Sequence, residues 1–291
     1  MTVRLSAAAR ASNGPSVFAV LAGLLASFTA GWMPADAQEA EEVANWAFAT
    51  WIGTGVYRLE DRELKVFRVP IAFGVPKNEE RKFKVKVLLP VTLGVENFDF
   101  DIDNPELPER LETITFVPGA EVEVPILRNW SLKPFGQFGI GKDFSGGDFA
   151  YLYGIGLKSL ATFPWRKYTF GLGNRVMGAG QTVSGGGNSK GFALWEVGLD
   201  TRLPGSVRLF KRHFDFSVFI IQTEFTNPVD FLAPIGEQPV ELTRLTHVGF
   251  TVGPDKRFKI WKGFDIPRVG VGYMRGDADF TGIRINAGFP F

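Results

Sequence analysis

From residue 46 to its end the chain is built of segments in which every second side chain is apolar, divided by clusters of Pro, Gly, Asn, Asp and Lys. About twelve such segments follow one another, at residues 46–58, 63–75, 83–95, 113–124, 131–141, 149–162, 168–177, 191–203, 214–225, 242–252, 260–273 and 280–291. Their length is the constraint. Strands of soluble sandwiches average five or six residues, whereas a strand that crosses a bilayer at a tilt needs about 9 to 11. The second face points the same way. In "KVKVLLPVTLGV", Val85, Val87, Leu89, Val91, Leu93 and Val95 oppose Lys84, Lys86, Leu88, Pro90, Thr92 and Gly94. Trp195, Val197 and Leu199 oppose Glu196, Gly198, Asp200 and Arg202. A face of Gly, Thr and charge suits a polar lumen better than a second core layer. Lipid offers no partner for an open sheet edge, so such strands must close on themselves. The expected fold is all-β: a transmembrane antiparallel up-and-down β-barrel of about twelve strands, one domain over residues 46–291.

Composition removes several function classes. The chain has no Cys, two His and a formal charge of +1. Disulfides and thiolate metal sites are therefore impossible, and no metal or cofactor is expected. No basic field of the kind that nucleic-acid binding requires is present. At the N-terminus, Arg4 and Arg10 precede "VFAVLAGLLASFTA" and then Ala35, Asp36 and Ala37, the order of a secretory signal peptide cut after Ala37. The competing reading is a transmembrane anchor, because the apolar run extends towards Met33. The expected organisation is a signal peptide at 1–37, a short periplasmic segment at 38–45 and the barrel beyond. Loss of Arg4, Arg10 and Asp36 leaves the exported chain formally neutral.

Aromatic residues Tyr57, Tyr151, Tyr153, Trp165, Tyr168, Trp195, Trp261 and Tyr273 lie mostly towards the ends of these segments, as interfacial girdles do. With both termini periplasmic, residues 76–82, 125–130, 163–167, 203–213 and 253–257 become short periplasmic turns. The mostly longer connections at 96–112, 178–190 and 226–241 then lie outside. With these features the chain resembles a Gram-negative outer-membrane β-barrel. The resemblance rests on the leader, the strand pattern and the terminal "IRINAGFPF". It implies a multi-pass location in the outer membrane, in contact with its lipids and lipopolysaccharide. It also implies that the last strand carries an assembly signal read by periplasmic chaperones and the barrel-assembly machinery. Ile283, Ile285, Ala287, Phe289 and Phe291 keep the alternate register of that signal, with Phe291 expected at the periplasmic rim. Pro290 departs from it, since it withholds one ladder donor.

Motifs that carry chemistry are few. "GQFGIGKD" fits G-x-x-x-x-G-K but places Asp143 where a magnesium-binding Ser or Thr belongs, and it lies within a strand. Asp99, Asp101 and Asp103 open like a calcium loop, yet the sixth position is not Gly and the twelfth is Arg110, so the run reads as a solvated acidic loop. His247 is the better-placed His for a lipid-modifying site, expected on the lumen face with Gly249 and Thr251. No Ser pairs with it in a defensible way, so a structural role is the plainer reading. Parity puts Arg68, Lys84, Lys86, Lys133, Lys158, Arg175, Arg202, Arg268 and Arg284 on the lumen face. The acids expected there are Glu96, Glu121, Glu123, Glu196 and Asp200. Both signs together suit a bonded plug; the basic excess suits anions in an open pore. The leading functional expectation is a porin-like channel for small solutes. The alternatives are an outer-membrane lipid-modifying enzyme with His247 as base, and a plugged barrel with a structural or adhesive role. An autotransporter translocator has a similar strand number, but too few residues separate the cleavage site from the first strand to form a passenger.

Overall fold

The computed structural model describes residues 46–59, 62–76, 82–96, 113–144, 149–184, 189–209, 212–231, 240–254, 258–261, 264–266 and 268–291. The expected signal peptide, the 38–45 segment, the Asp99–Asp101–Asp103 run and most of the 76–82 turn lie outside them, as do the side chains of Glu96 and Trp261. One short helix, α1 (Trp46–Ile52), precedes the strands. These are β1 (Gly55–Leu59), β2 (Arg62–Gly74), β3 (Lys84–Glu96), β4 (Thr113–Phe116), β5 (Gly119–Leu127), β6 (Trp130–Asp143), β7 (Phe149–Trp165) and β8 (Tyr168–Val183). They continue with β9 (Ser189–Arg202), β10 (Val207–Leu209), β11 (Arg212–Phe231), β12 (Val240–Pro254), β13 (Phe258–Trp261), β14 (Phe264–Ile266), β15 (Val269–Gly276) and β16 (Thr281–Asn286).

Every pairing is antiparallel, and each strand of the main sheet lies beside its neighbours in sequence. β4 and β5 share one stave, because both pair with β3 and β6 and only Val117 and Pro118 interrupt them. β10 prolongs the stave of β9 along β11. The ring closes where β1 meets β16, over the short register Gly55↔Arg284 to Arg58↔Thr281. The result is a closed barrel of twelve staves, with β13 and β14 as a separate hairpin. Closure leaves no edge to aggregate or to face lipid unpaired.

The barrel is apolar on the outside. Phe67, Phe138, Ile220, Phe250 and Ile283 are about half exposed, along with Tyr151, Tyr153, Trp165, Trp195 and Tyr273. In the first half of β7, residues 149–156, and in β15 over residues 269–275, exposed and buried residues alternate one for one, so the pleat sends one set of side chains out and the other in. A soluble domain does not present so continuous an apolar exterior; a hydrocarbon layer stabilises it. No helix among the described residues is long and apolar enough to cross a membrane, so any crossing is made by strands.

Three of the expected segments come out differently. Residues 46–52 are helical and not part of the first strand. "WAFATWI" is apolar almost throughout, so it lacks the period of two that marks a half-buried strand. Tyr57, expected in an outer girdle, is buried inside, where its hydroxyl donates to the carbonyls of Ile52 (3.2 Å) and Gly53 (3.0 Å). The eleventh segment divides into the β13–β14 hairpin and β15. The last strand ends at Asn286: Gly288 takes φ +94°, a left-handed turn that suits glycine. Beyond it Phe291 is buried inside the barrel and not at a rim. The alternation of the tail had concealed this turn.

Candidate functional site

An eight-stranded barrel is just filled by its own side chains, while sixteen strands leave an aqueous channel. Twelve staves enclose an intermediate width, and in this protein two further pieces of chain occupy it. At the long-loop end lies α1. A helix of seven residues is not stable alone in water, so packing and a few polar bonds hold it. Trp46, Phe48, Trp51 and Ile52 are all buried. Phe48 lies 5.4 Å from Trp51 between ring centroids and meets Phe280 edge-on at 6.3 Å; Trp51 meets Phe225 at 5.7 Å and Phe192 at 6.0 Å. Aromatic pairs at such spacing add to the burial of their area. The backbone amide of Ala47 donates to Gln181 Oε1 at 3.0 Å, and Thr50 shares a hydroxyl bond of 3.2 Å with Thr115. A small inner residue makes room: a Cβ on Gly141 would stand 2.9 Å from the Trp46 ring.

The second piece is the tail. The rings of Phe289 and Phe291 meet at a tilt, 4.8 Å between centroids, and pack against Phe219 and Ile221. A Cβ on Gly198 would stand 2.7 Å from Phe291 Cε2, and one on Gly173 would strike the same ring. Lys133 donates to the main-chain oxygen of Phe291 at 3.0 Å, while the Arg175 guanidinium lies 6.0 Å from its ring centroid. Gly173→Leu is therefore expected to expel the Phe291 ring and to lower stability by about 1–3 kcal/mol, the usual cost of overpacking. The shift of the urea midpoint measures it, and an unchanged midpoint removes the packing role given to Phe291.

Around these plugs the charged inner residues form networks concentrated towards the short-turn end. Glu121 is buried between Lys86 (3.0 Å) and Lys158 (2.9 Å), and Lys84 pairs with Glu123 at 3.0 Å in a more exposed position. Arg175 Nε is paired with Glu196, whose other oxygen accepts from Thr223 Oγ1 at 3.0 Å. Arg268 is bonded to Asp215 and, at 2.8 Å, to Thr251 Oγ1, with Arg202 also 3.6 Å from Asp215. Asp200 sits half-buried on the same face. Asp215, Thr223, Ser217 and Gln181 were missed by sequence reasoning, although Asp215, Ser217 and Thr223 share the inner parity of β11 and so were open to the same rule. Arg68 and Arg284 stand apart: neither guanidinium has an ion pair among the described residues, and the Nε of each is buried without a partner.

His247 is buried on the inner face, its ring edge-on to Phe219 at 4.9 Å and its Nε2 3.4 Å from the Asn286 amide. Neither neighbour is a nucleophile or a carboxylate, so this geometry offers no Ser–His pair and faces no lipid. Among the described residues no group of three His, Cys, Asp or Glu side chains converges as a metal site would. Ile285 is exposed on the outer wall, unlike Phe289 and Phe291.

An antiparallel closed ring, an apolar outer wall and a polar lumen define a transmembrane β-barrel of the outer-membrane type. No protein-family model matches the chain, and no curated protein matches it. Among solved structures it is similar to the β domain of the Bordetella autotransporter BrkA, at 10% identity and a TM-score of 0.45, covering 79% of this chain and 93% of that one. That likeness is one of barrel shape; the fold assignment stands on the strand pairing itself.

Proposed function

We propose that this protein is a gated, porin-like barrel of a Gram-negative outer membrane, shut at rest by its own helix and tail, which passes small, preferentially anionic solutes when the helix is displaced. The observation that carries the reading is α1: a marginal seven-residue helix held in the lumen by an aromatic cluster and by hydrogen bonds from Ala47 to Gln181, between Thr50 and Thr115, and from Tyr57 to the Ile52 carbonyl, with no ion pair among the described residues. The basic excess of the inner face supplies the anion preference, since a ring of fixed cations lowers the barrier for anions and raises it for cations. The second reading is a permanently sealed barrel with a structural or adhesive role, favoured by the number of paired charges on the inner face. Lipid and lipopolysaccharide cover the apolar wall on either reading. Ile285, Phe289 and Phe291 are proposed to serve the periplasmic chaperones and assembly machinery before the tail folds inward.

Planar-bilayer recording in a salt gradient tests the proposal. Wild-type barrels are expected to stay closed at low voltage and to show brief steps at high voltage, with a reversal potential on the anion side. Steady large steps at all voltages remove the gate; silence at every voltage, in wild type and in helix variants alike, leaves the sealed barrel. Fractionation into soluble periplasm without heat-modifiable gel migration removes the membrane location altogether.

A further inference from the structure

Beneath α1 three arginines from opposite walls reach towards one another across the lumen. Arg68 is on β2 and Arg284 on β16, next to the closing seam; Arg175 is on β8, on the far side of the ring. In the β1–β16 register Arg284 is the partner of Gly55, and the Arg68 backbone amide donates to Thr54 Oγ1 at 3.0 Å, so both arginines flank the turn after α1. The turn after α1 and two aromatic rings stand against Arg284 and Arg175. The Arg284 guanidinium lies against the turn after α1, where a Cβ on Gly53 would stand 3.2 Å from its Nε; that glycine has φ +87°. The Arg175 guanidinium stands 5.7 Å from the Trp51 ring on one side and 6.0 Å from the Phe291 ring on the other.

Five donors here are buried with no hydrogen-bond partner among the described residues: Arg68 Nε, Arg284 Nε, Arg175 Nη2, Trp51 Nε1 and Thr92 Oγ1. Thr92 is placed with them by register, directly across the β2–β3 pair from Arg68. Native structures seldom leave one buried charged donor unmet, and removing a guanidinium from water without a partner is costly. Several such donors in one chamber describe a site lacking its acceptor. Glu196 is paired with Arg175, and no carboxylate among the described residues is paired with Arg68 or Arg284. The deficit is two charges. The donors come from two walls and from the helix above, not from one plane, which suits four oxygens arranged as a tetrahedron better than a flat carboxylate. Arginine is also the side chain whose fork matches a phosphoryl group.

We propose that Arg68, Arg175 and Arg284, with Trp51 Nε1 and Thr92 Oγ1, form a binding site for one phosphate-type dianion in the lumen beneath α1. The site depends on the closed geometry and not on conduction, so it stands or falls separately from the gated-channel reading. Equilibrium dialysis of the folded full chain in a zwitterionic detergent against radiolabelled inorganic phosphate, at constant ionic strength in chloride, tests it. Wild type is expected to bind one phosphate per barrel saturably. Arg68→Gln and Arg284→Gln are each expected to weaken binding at least tenfold, and Arg284→Lys less, because it keeps the charge and loses the fork. Arg58→Gln, on the outer face, is expected to bind as wild type does. Heat-modifiable migration identifies the folded samples; should one glutamine variant fail to fold, the other and the lysine variant carry the test. Competition by glycerol 3-phosphate identifies a phosphoryl group as the ligand, and lack of competition identifies the free ion. Linear, unsaturable uptake by wild type overturns the proposal, as does equal loss of binding in Arg58→Gln.

Discussion

Phe48→Ala combined with Trp51→Ala is expected to turn a closed barrel into one that conducts steadily at low voltage. Both rings are at the centre of the long-loop half of the lumen, where Phe192, Phe225 and Phe280 surround them. Truncating a buried Phe or Trp to Ala costs about 3–5 kcal/mol where the site cannot collapse, and strands bonded on both sides cannot move inward to close the gap. An isolated helix of this length has no stability of its own to draw on, so α1 loses its hold and water replaces it. The barrel should remain folded, since its ladders and outer wall are untouched; heat-modifiable migration checks that. Opening at low voltage with an anion-side reversal potential supports the gate. A folded double variant as silent as wild type, under every voltage, shows that the lumen is sealed by something other than α1.

The second large effect is expected at Glu196. Its carboxylate pairs with Arg175 and accepts from Thr223, and both side chains of the ion pair are nearly inaccessible. Glu196→Gln strips the charge that compensates Arg175 while Arg68 and Arg284 stay close by. Breaking a buried pair from one side costs about 3–5 kcal/mol, because the remaining ion is left desolvated. With a denaturant slope of about 2 kcal/mol per molar, the urea midpoint should fall by roughly 1.5–2.5 M. Removing both partners in Arg175→Met with Glu196→Leu is expected to recover most of that loss, since neither ion is then stranded. A double variant as unstable as Glu196→Gln alone shows that the pair is held for its bonds to other groups, Thr223 foremost.

The membrane barrel was legible without coordinates because its signal is local. A pleated strand sends side chains alternately to its two faces, and a bilayer requires a strand of a certain length. Those two rules place Val271 and Ile283 on the lipid wall and Glu121, Lys133, Arg175 and His247 on the inner face. They also fix the order of neighbours, since short connections between antiparallel strands leave little choice. What parity does not contain is distance across the lumen. That Glu121 sits between Lys86 and Lys158, or that Arg175 on β8 stands against Trp51 of α1, depends on the width and closure of the ring, a property of all twelve staves together. Tyr57 shows the same limit on a smaller scale. As an aromatic near a strand end it fits a girdle, and only the helix folded back above it explains why its ring and hydroxyl point inward.

The ends of the barrel were the least legible. "WAFATWI" and "INAGFPF" are both apolar enough to read as strand, yet one forms a helix and the other leaves the sheet at Asn286. The physical reason is common to both. A twelve-stave ring encloses more space than its own side chains fill, and apolar chain next to that space gains more by burial inside than by one more turn of ladder. Alternation and strand length are written residue by residue, so a closed, lipid-facing barrel can be read from the chain alone. What fills that barrel cannot, because the volume to be filled exists only once the ring has closed.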